Sequence, residues 1–137
     1  MNEEINTRIV KEGYGHFESG NIAALLDSYA DNIEWSTPPI EGAPFSGVHN
    51  GLDEVKEFFT QLDGSEEFTH FEPTEFIAQD DRVVVLGKSA ATIKATGRSF
   101  ETDWVHIFTV KDGKVTNFLE FLDTAGAERA YQKASAV

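Results

Sequence analysis

His106 and Glu120 are two titratable residues that lie on neighbouring segments near the C-terminal end of the chain. An imidazole and a carboxylate can both take up and release protons, so the two form a possible acid/base pair. The segments that carry them, Thr102–Phe108 and Thr116–Asp123, alternate between apolar and polar side chains. Lys111-Asp112-Gly113-Lys114 separates these segments and contains an Asp-Gly turn signal, which predicts a β-hairpin.

The register of this hairpin decides whether the pair shares a face. If Asp112-Gly113 form a two-residue loop, Val110 pairs with Val115 and the two titratable side chains project to opposite sides. If the turn takes three residues with a left-handed Gly113, Val110 pairs with Lys114 instead. We predict the second register, because it gathers titratable and large apolar groups as a ligand pocket requires. The residues on that face are Trp104, His106, Phe108, Phe118, Glu120 and Leu122. The first register remains an alternative, in which His106 shares its face with Asp123.

The composition predicts one domain that spans residues 1–137. A chain of this length can bury a substantial core but is short for two domains, and its eleven Phe argue against disorder. The formal net charge of −13 argues against nucleic acid and against an anionic membrane, since both are themselves negatively charged. We therefore expect neither among the partners.

Several kinds of site are missing from the sequence. It has no cysteine, which excludes disulfides and thiolate chemistry. His16, His49 and His70 lack metal-ligand spacing, and there is no glycine-rich nucleotide loop, so we expect no metal and no cofactor. Met1-Asn2-Glu3-Glu4 lacks the basic and apolar regions of a secretory signal, and no apolar run approaches membrane-spanning length, so we expect a cytoplasmic location.

Hydrophobic periodicity predicts helices in the first half of the chain and strands in the second. The first predicted helix covers residues 3–18. The second is capped by Asn21, carries Ile22, Leu25, Leu26 and Tyr29 on one face, and is stopped by Asp31-Asn32. The third covers Leu52–Leu62, and a helical tail covers Ala125–Lys133. The predicted strands are Ile33–Thr37, Phe68–Ala78, Arg82–Ala95, Arg98–Val110 and Lys114–Leu122, with a long loop over Pro38–Gly51. This order indicates an α+β fold, a cone-shaped, curved antiparallel sheet wrapped around N-terminal helices.

Six segments, in their order and spacing, resemble one protein family. They are Tyr14–Tyr29, Ala30–Trp35, Pro44–Gly51, Val55–Phe59, Asp112–Val115 and Glu120–Thr124. The chain resembles the SnoaL-like polyketide cyclases and ketosteroid-isomerase-related proteins of the nuclear transport factor 2-like superfamily along nearly its whole length. The resemblance implies that superfamily's cystatin-like α+β barrel, which commonly pairs as a homodimer through the convex face of its sheet.

The resemblance also implies roles for particular residues. The cyclases carry an acidic residue on the last strand, a second, near-terminal Asp and a His on the preceding strand, and these positions match Glu120, Asp123 and His106. Glu120 is one methylene longer than the Asp of the cyclases. The oxyanion donor on the first helix of the steroid isomerases matches Tyr14, but their catalytic Asp falls near Thr37, which cannot act as a base. Ordinary steroid isomerisation is therefore disfavoured.

These residues together predict a largely apolar pocket in which a proton is moved without a cofactor. Glu120 would abstract or return the proton, His106 would hold or relay it, and Tyr14 would stabilise an enolate. The predicted walls of the pocket are Trp35, Phe59, Trp104, Phe108, Phe118 and Leu122. The hypothesis is an isomerase, cyclase or dehydratase type of reaction, by general acid/base catalysis, on a hydrophobic carbonyl-bearing small molecule.

Two alternatives use the same fold without catalysis. A hydrophobic-ligand-binding module would use Glu120 and His106 only to orient its ligand. A dimeric assembly protein would keep the pocket as a vestige. The outward-facing residues of the last two strands are too apolar for a solvated surface, which predicts a homodimer. These residues are Val105, Ile107, Leu119 and Phe121.

Overall fold

The structure, a computed structural model, describes residues 2–132 and has the α+β class predicted from the sequence. Its helices are α1 (Asn2–Glu18), α2 (Ile22–Asp27), α3 (Gly51–Ser65) and α4 (Thr124–Tyr131). Its strands are β1 (Tyr29–Thr37), β2 (Gly47–Asn50), β3 (Glu66–Gln79), β4 (Arg82–Ile93), β5 (Ser99–Lys111) and β6 (Lys114–Leu122). Within these residues, no helix is both long enough and apolar enough to cross a membrane.

The strands of residues 2–132 form one curved, unclosed sheet in the order β2-β1-β6-β5-β4-β3. The meander β3 to β6 is antiparallel, as predicted. β1 instead pairs in parallel with β6, with Trp35 opposite Phe118, so the sheet is mixed and not wholly antiparallel. The long stretch of chain between β1 and β6 supplies the connection that parallel neighbours require.

The boundary between α2 and β1 differs from the prediction. The helix ends at Asp27 and the strand begins at Tyr29, so Asp31-Asn32 lies within a strand and does not stop a helix. The backbone N–H of Ser28 closes the last turn of α2, while its carbonyl accepts a hydrogen bond from the N–H of Val115 in β6. Pairing with a distant strand therefore overrides the helical periodicity that includes Tyr29.

Two other predicted elements need adjustment. The predicted loop Pro38–Gly51 contains β2, which pairs antiparallel with β1. The predicted tail helix begins at Thr124 and ends at Tyr131. Lys133, where the tail was predicted to end, lies outside the described residues.

The β5–β6 hairpin combines features of both predicted registers. Val110 pairs with Val115, and Asp112 and Gly113 have φ of 51° and 78°, so the turn is a two-residue loop and the predicted three-residue turn is wrong. Thr109, however, lies opposite Asn117, so one residue of β6 is extra at a β-bulge. The bulge reverses the alternation of β6, and His106 lies directly opposite Glu120. The predicted shared face is therefore confirmed, although by a different route.

The helices α1 and α3 pack on the inner face of the sheet, where α1 contacts β3 and β4 and α3 contacts β1. Their buried positions recur at helical spacing, with Val10 and Gly13 in α1 and Val55, Phe58 and Phe59 in α3. This periodicity places one apolar stripe of each helix against the sheet. Between the helices and the sheet lies the cavity described below.

The outer face of the sheet carries a continuous apolar strip. Phe121 is 54% exposed and lies opposite Val105, and Leu119 is 38% exposed and lies opposite Ile107. The strip continues through Val84 of β4 to Ile77 of β3, which is 49% exposed. The four residues predicted to point outward do lie on this face, which leaves the homodimer as a prediction with a defined surface.

Candidate active site

Tyr14 of α1, His106 of β5 and Glu120 of β6 meet at one place on the inner face of the sheet. The hydroxyl oxygen of Tyr14 lies 2.7 Å from Nδ1 of His106, and Nε2 of the same ring lies 2.8 Å from Oε2 of Glu120. Both distances are ordinary hydrogen-bond lengths. The structure thus brings the three predicted catalytic residues into one chain of hydrogen bonds, which we call the Tyr–His–Glu chain.

Aromatic packing holds Tyr14 and His106 of the Tyr–His–Glu chain in place. Four aromatic rings surround the ring of Tyr14 at centroid distances of 5.9 to 6.0 Å. They belong to Phe71, Phe76, Trp104 and Phe108. The imidazole of His106 stacks on Trp104 at 3.9 Å and 16° and meets Phe118 edge-on at 4.8 Å. These contacts restrict the rotation of both hydrogen-bonding rings.

Gly87 makes the position of Trp104 possible. The two residues lie opposite each other on β4 and β5, and the indole ring covers the glycine. A Cβ atom at position 87 would lie only 2.2 Å from Cζ2 of Trp104. Glycine at this position therefore allows the indole to lie close to the strand, where it supports the imidazole.

Burial determines the protonation of Tyr14. Burial of the hydroxyl, with smaller effects from Tyr29 and the negative charge of Glu120, raises the pKa of Tyr14 far above its ordinary value of 10.0. The phenolate is therefore inaccessible near neutral pH, and Tyr14 acts as a hydrogen-bond donor or acceptor but not as a base. The side chains of His106 and Glu120 are only 7% and 19% exposed, so their interaction takes place away from bulk water.

The Tyr–His–Glu chain has two useful arrangements of protons. When the imidazole is neutral with its hydrogen on Nε2, Tyr14 donates to Nδ1 and Glu120 accepts from Nε2. When the imidazole is protonated on both nitrogens, Nδ1 donates to the oxygen of Tyr14, whose own hydrogen is then free for another acceptor. In the second arrangement the chain presents a free hydroxyl donor at one end and a carboxylate at the other.

All three residues line a cavity of about 110 Å³ between the helices and the sheet. Each of the six predicted wall residues lines it too: Trp35, Phe59, Trp104, Phe108, Phe118 and Leu122. Trp35 and Phe118 lie on the parallel pair β1 and β6 and stack at 3.7 Å and 14°. No Lys or Arg among residues 2–132 lines this cavity. The surroundings of the Tyr–His–Glu chain are therefore mainly aromatic and contain no fixed positive side chain.

Two indole N–H groups in the wall are buried without an acceptor among the described residues. They belong to Trp35 and Trp104, which are 4% and 3% exposed. Leaving a donor unpaired costs about 1–3 kcal/mol. Both nitrogens are fully enclosed, so neither N–H group is open to the cavity.

The sequence reasoning missed a second carboxylate, Glu66, which lines the cavity from the junction of α3 and β3. Its carboxylate accepts a hydrogen bond from the hydroxyl of Tyr131 in α4. One signal could have found it: Glu66 lies two residues before Phe68, so the alternation of a strand puts both on the same face, and both line the cavity. The partner Tyr131 left no such signal, because it is far away in the sequence.

Other residues considered from the sequence have local structural roles. Thr37, at the position of the isomerase base, hydrogen-bonds through Oγ1 with the backbone of Gly47 and does not line the cavity. Asp123, the second acid of the cyclase pattern, accepts a hydrogen bond from the N–H of Gly126 and caps α4. Asp103 is exposed on β5. The acid beside His106 is therefore Glu120 and not Asp123.

The fold and the cavity define the class: an α+β domain of the nuclear transport factor 2-like kind, with a polar chain on the wall of an aromatic cavity. The model of the SnoaL-like domain matches residues 10–118, so the chain belongs to the SnoaL-like family. No curated protein matches the chain.

Solved structures of similar proteins support this assignment. An NTF2-like protein from Burkholderia xenovorans LB400 is 35% identical with a TM-score of 0.87, over 95% of this chain and 98% of that one. An NTF2-like protein from Burkholderia pseudomallei K96243 is 29% identical with a TM-score of 0.84, over 93% and 98%. TerC, co-crystallised with polyporic acid, is 29% identical with a TM-score of 0.80, over 93% and 98%.

Proposed function

We propose that this protein moves a proton on a hydrophobic, carbonyl-bearing small molecule by general acid/base catalysis without a cofactor. The reaction would be of the isomerase, cyclase or dehydratase type. The observation that carries the proposal is the Tyr–His–Glu chain, whose three members are hydrogen-bonded to one another and line the same aromatic cavity. A base and an oxyanion donor at one cavity are what enolate formation needs.

The arrangement with a protonated imidazole supplies both groups at once. The carbon–hydrogen bond beside the ligand carbonyl breaks, its proton goes to Oε1 of Glu120, and its electron pair forms an enolate. The enolate oxygen accepts a hydrogen bond from Tyr14, while His106 holds Tyr14 and Glu120 in place. Return of the proton from Glu120 to a different carbon completes an isomerisation. In an elimination, the enolate expels a leaving group, which takes that proton. In a cyclisation, the enolate carbon attacks a second carbonyl, whose oxygen takes the proton.

The apolar surroundings support this chemistry. Hydrogen bonds to a developing negative charge are stronger in a water-poor site than in water. The raised pKa of Tyr14, caused mainly by burial, keeps its proton available for donation. Aromatic walls also suit a hydrophobic ligand and exclude water from the enolate.

The volume of the cavity indicates the size of the ligand. An apolar cavity of about 150 Å³ holds a benzene molecule, and this cavity has about 110 Å³. A ligand of about one ring is therefore the size that fits with small adjustments. A multi-ring ligand would require aromatic side chains to move.

Proton exchange in heavy water tests the proposal without knowledge of the physiological substrate. A panel of single-ring ketones would be incubated with the protein in D₂O, and loss of the signals from hydrogens beside the carbonyl would be followed by NMR. We expect at least one ketone to exchange faster than in buffer. Glu120→Gln should slow this exchange by at least about 100-fold. Asp103→Asn, the same chemical change at an exposed position of β5, should have no effect.

Three results would contradict the proposal: no ketone exchanges faster than in buffer, the Glu120→Gln variant exchanges like the wild type, or Asp103→Asn slows exchange equally.

The second candidate function, a non-catalytic binding module, predicts binding without exchange. The observation behind this candidate is that TerC, which is 29% identical to this chain, was co-crystallised with polyporic acid. Binding of polyporic acid or of a panel ketone, with exchange no faster than in buffer, would support that module.

We further propose that the protein is a homodimer whose subunits meet through the apolar strip on the outer face of the sheet. Leu119 and Phe121 are the exposed large residues of β6 on this strip, and Val105 and Ile107 flank them on β5. Burying such a strip against a second copy removes apolar surface from water, which stabilises association. A dimer formed on the outer face leaves the cavity on the inner face unobstructed.

A further inference from the structure

The cavity contains a second acidic group, which lies on a strand outside the β5–β6 hairpin. Glu66 lies at the first position of β3 and is one of the residues that line the cavity. The hydroxyl of Tyr131 donates a hydrogen bond to Oε2 of Glu66. Tyr131 is itself held by an edge-to-face contact with Phe45 and by Gly42, where a Cβ atom would lie 3.1 Å from Cβ of Tyr131. One oxygen of the carboxylate is therefore fixed in position by the rim of the cavity.

The other oxygen of Glu66 remains available. Oε1 has no hydrogen-bond partner among residues 2–132, and no cation of those residues forms an ion pair with the carboxylate. Burial raises the pKa of Glu66, the hydrogen bond from Tyr131 opposes this, and the charge of Glu120 raises the pKa further. A partly buried carboxylate with one oxygen unpaired is costly, and a hydrogen-bond donor on a ligand would relieve that cost.

We infer that Glu66 is a second ligand contact, whose Oε1 accepts a hydrogen bond from a hydroxyl group of the bound molecule. The inference rests on the proposed function and narrows its substrate class to hydroxylated carbonyl compounds of about one ring. The carbonyl oxygen would lie at Tyr14 and the hydroxyl at Glu66. Glu66 and Glu120 are both acidic and no basic side chain of the described residues lines the cavity, so a neutral donor is favoured over an anionic ligand.

In a purely structural role, Glu66 would only anchor α4 to the start of β3 through its hydrogen bond with Tyr131. This hydrogen bond needs one acceptor for the hydroxyl of Tyr131, which the amide oxygen of a glutamine also provides. The ligand contact needs an acceptor at the second position, where glutamine presents an NH₂ donor instead. Glu66→Gln therefore keeps the hydrogen bond from Tyr131 and the side-chain size but replaces the second acceptor with a donor.

The test measures binding of matched pairs of single-ring ketones, one member with a hydroxyl group and one without. Titrations would follow tryptophan fluorescence, because Trp35 and Trp104 line the cavity. In the wild type we expect the hydroxylated member of at least one pair to bind about 10-fold more tightly, the effect of a hydrogen bond to a charged group. In Glu66→Gln the two members should bind within about threefold of each other. Tyr131→Phe keeps the carboxylate and should keep a preference for the hydroxyl.

A preference for the hydroxyl that persists in Glu66→Gln, or that is absent from every pair in the wild type, would overturn the inference. Neither result affects proton exchange on ketones that lack a hydroxyl, which tests the proposed function alone. If no ketone of either kind binds, both proposals fail together. If Glu66→Gln does not fold, a crystal structure of the wild type with a hydroxylated ketone decides the question. The ligand hydroxyl within hydrogen-bond distance of Oε1 supports the contact, and a hydroxyl placed elsewhere overturns it.

Discussion

Gly87→Ala should destabilise the protein although it adds only a methyl group. The new Cβ would lie 2.2 Å from Cζ2 of Trp104, whereas ordinary contacts begin at 3.4 Å, so the indole or the strand must move by more than 1 Å. Overpacking of this kind costs about 1–3 kcal/mol. Because Trp104 stacks on His106 at 3.9 Å, displacement of the indole should also disturb the Tyr–His–Glu chain and slow proton exchange on a ketone substrate.

Gly15→Ala provides a matched control for this substitution. Gly15 lies within α1, and a Cβ atom there meets nothing within 4 Å beyond the adjacent backbone of its own helix. Alanine is better than glycine inside a helix by roughly 0.5–1 kcal/mol, so this variant should be slightly stabilised. Urea unfolding at one protein concentration, followed by circular dichroism, should separate the two variants by roughly 1.5–4 kcal/mol in the free energy of unfolding. A Gly87→Ala variant as stable as Gly15→Ala would refute the proposed packing of Trp104.

Three further predictions concern the hydrogen bonds and the outer face. Tyr14→Phe leaves Nδ1 of His106 buried without its partner and should lower the free energy of unfolding by about 1–3 kcal/mol in urea titrations; unchanged stability would contradict the hydrogen bond. Burial raises the pKa of Glu66 above its ordinary value of 4.5, so the folded protein holds this proton more tightly than the unfolded chain. The stability contributed by Glu66 should therefore fall as pH rises above about 4.5, and the wild type should lose stability relative to Glu66→Gln between pH 4.5 and 7; a relative gain in urea titrations over that range would reverse the sign and refute the reasoning. Phe121→Lys places a charge on the exposed apolar strip and should convert the proposed homodimer to a monomer in sedimentation at micromolar concentration, whereas Lys111→Glu at an exposed position near the turn should not; a wild-type monomer, or an unaffected Phe121→Lys dimer, would contradict the proposed interface.

Much of the active-site face could be predicted from the alternation of the last two strands. Phe118, Glu120 and Leu122 alternate in β6, and this pattern by itself predicts that Glu120 lies on an apolar face. The turn was predicted wrongly because Asp112-Gly113 is compatible with both loop lengths. The bulge that restores the shared face leaves no distinctive residue in the sequence, since its effect depends on pairing with β5.

The parts that could not be predicted depend on contacts between distant segments. Tyr29 fits the helical periodicity of α2, yet it begins a strand because β1 pairs in parallel with β6. The hydrogen bond between Glu66 and Tyr131 joins residues 65 positions apart, and neither local pattern indicates the other. Propensity and periodicity describe neighbours along the chain, so they identify faces of elements better than the partners those faces meet.

The most direct measurement is the rate of hydrogen–deuterium exchange beside the carbonyl of a bound ketone, compared between wild type and Glu120→Gln at saturating ketone. We predict that the variant loses at least about 100-fold in rate while its dissociation constant stays within about tenfold, or roughly 1.4 kcal/mol. Equal exchange rates in the two proteins would show that Glu120 does not take the proton and would contradict the proposed chemistry.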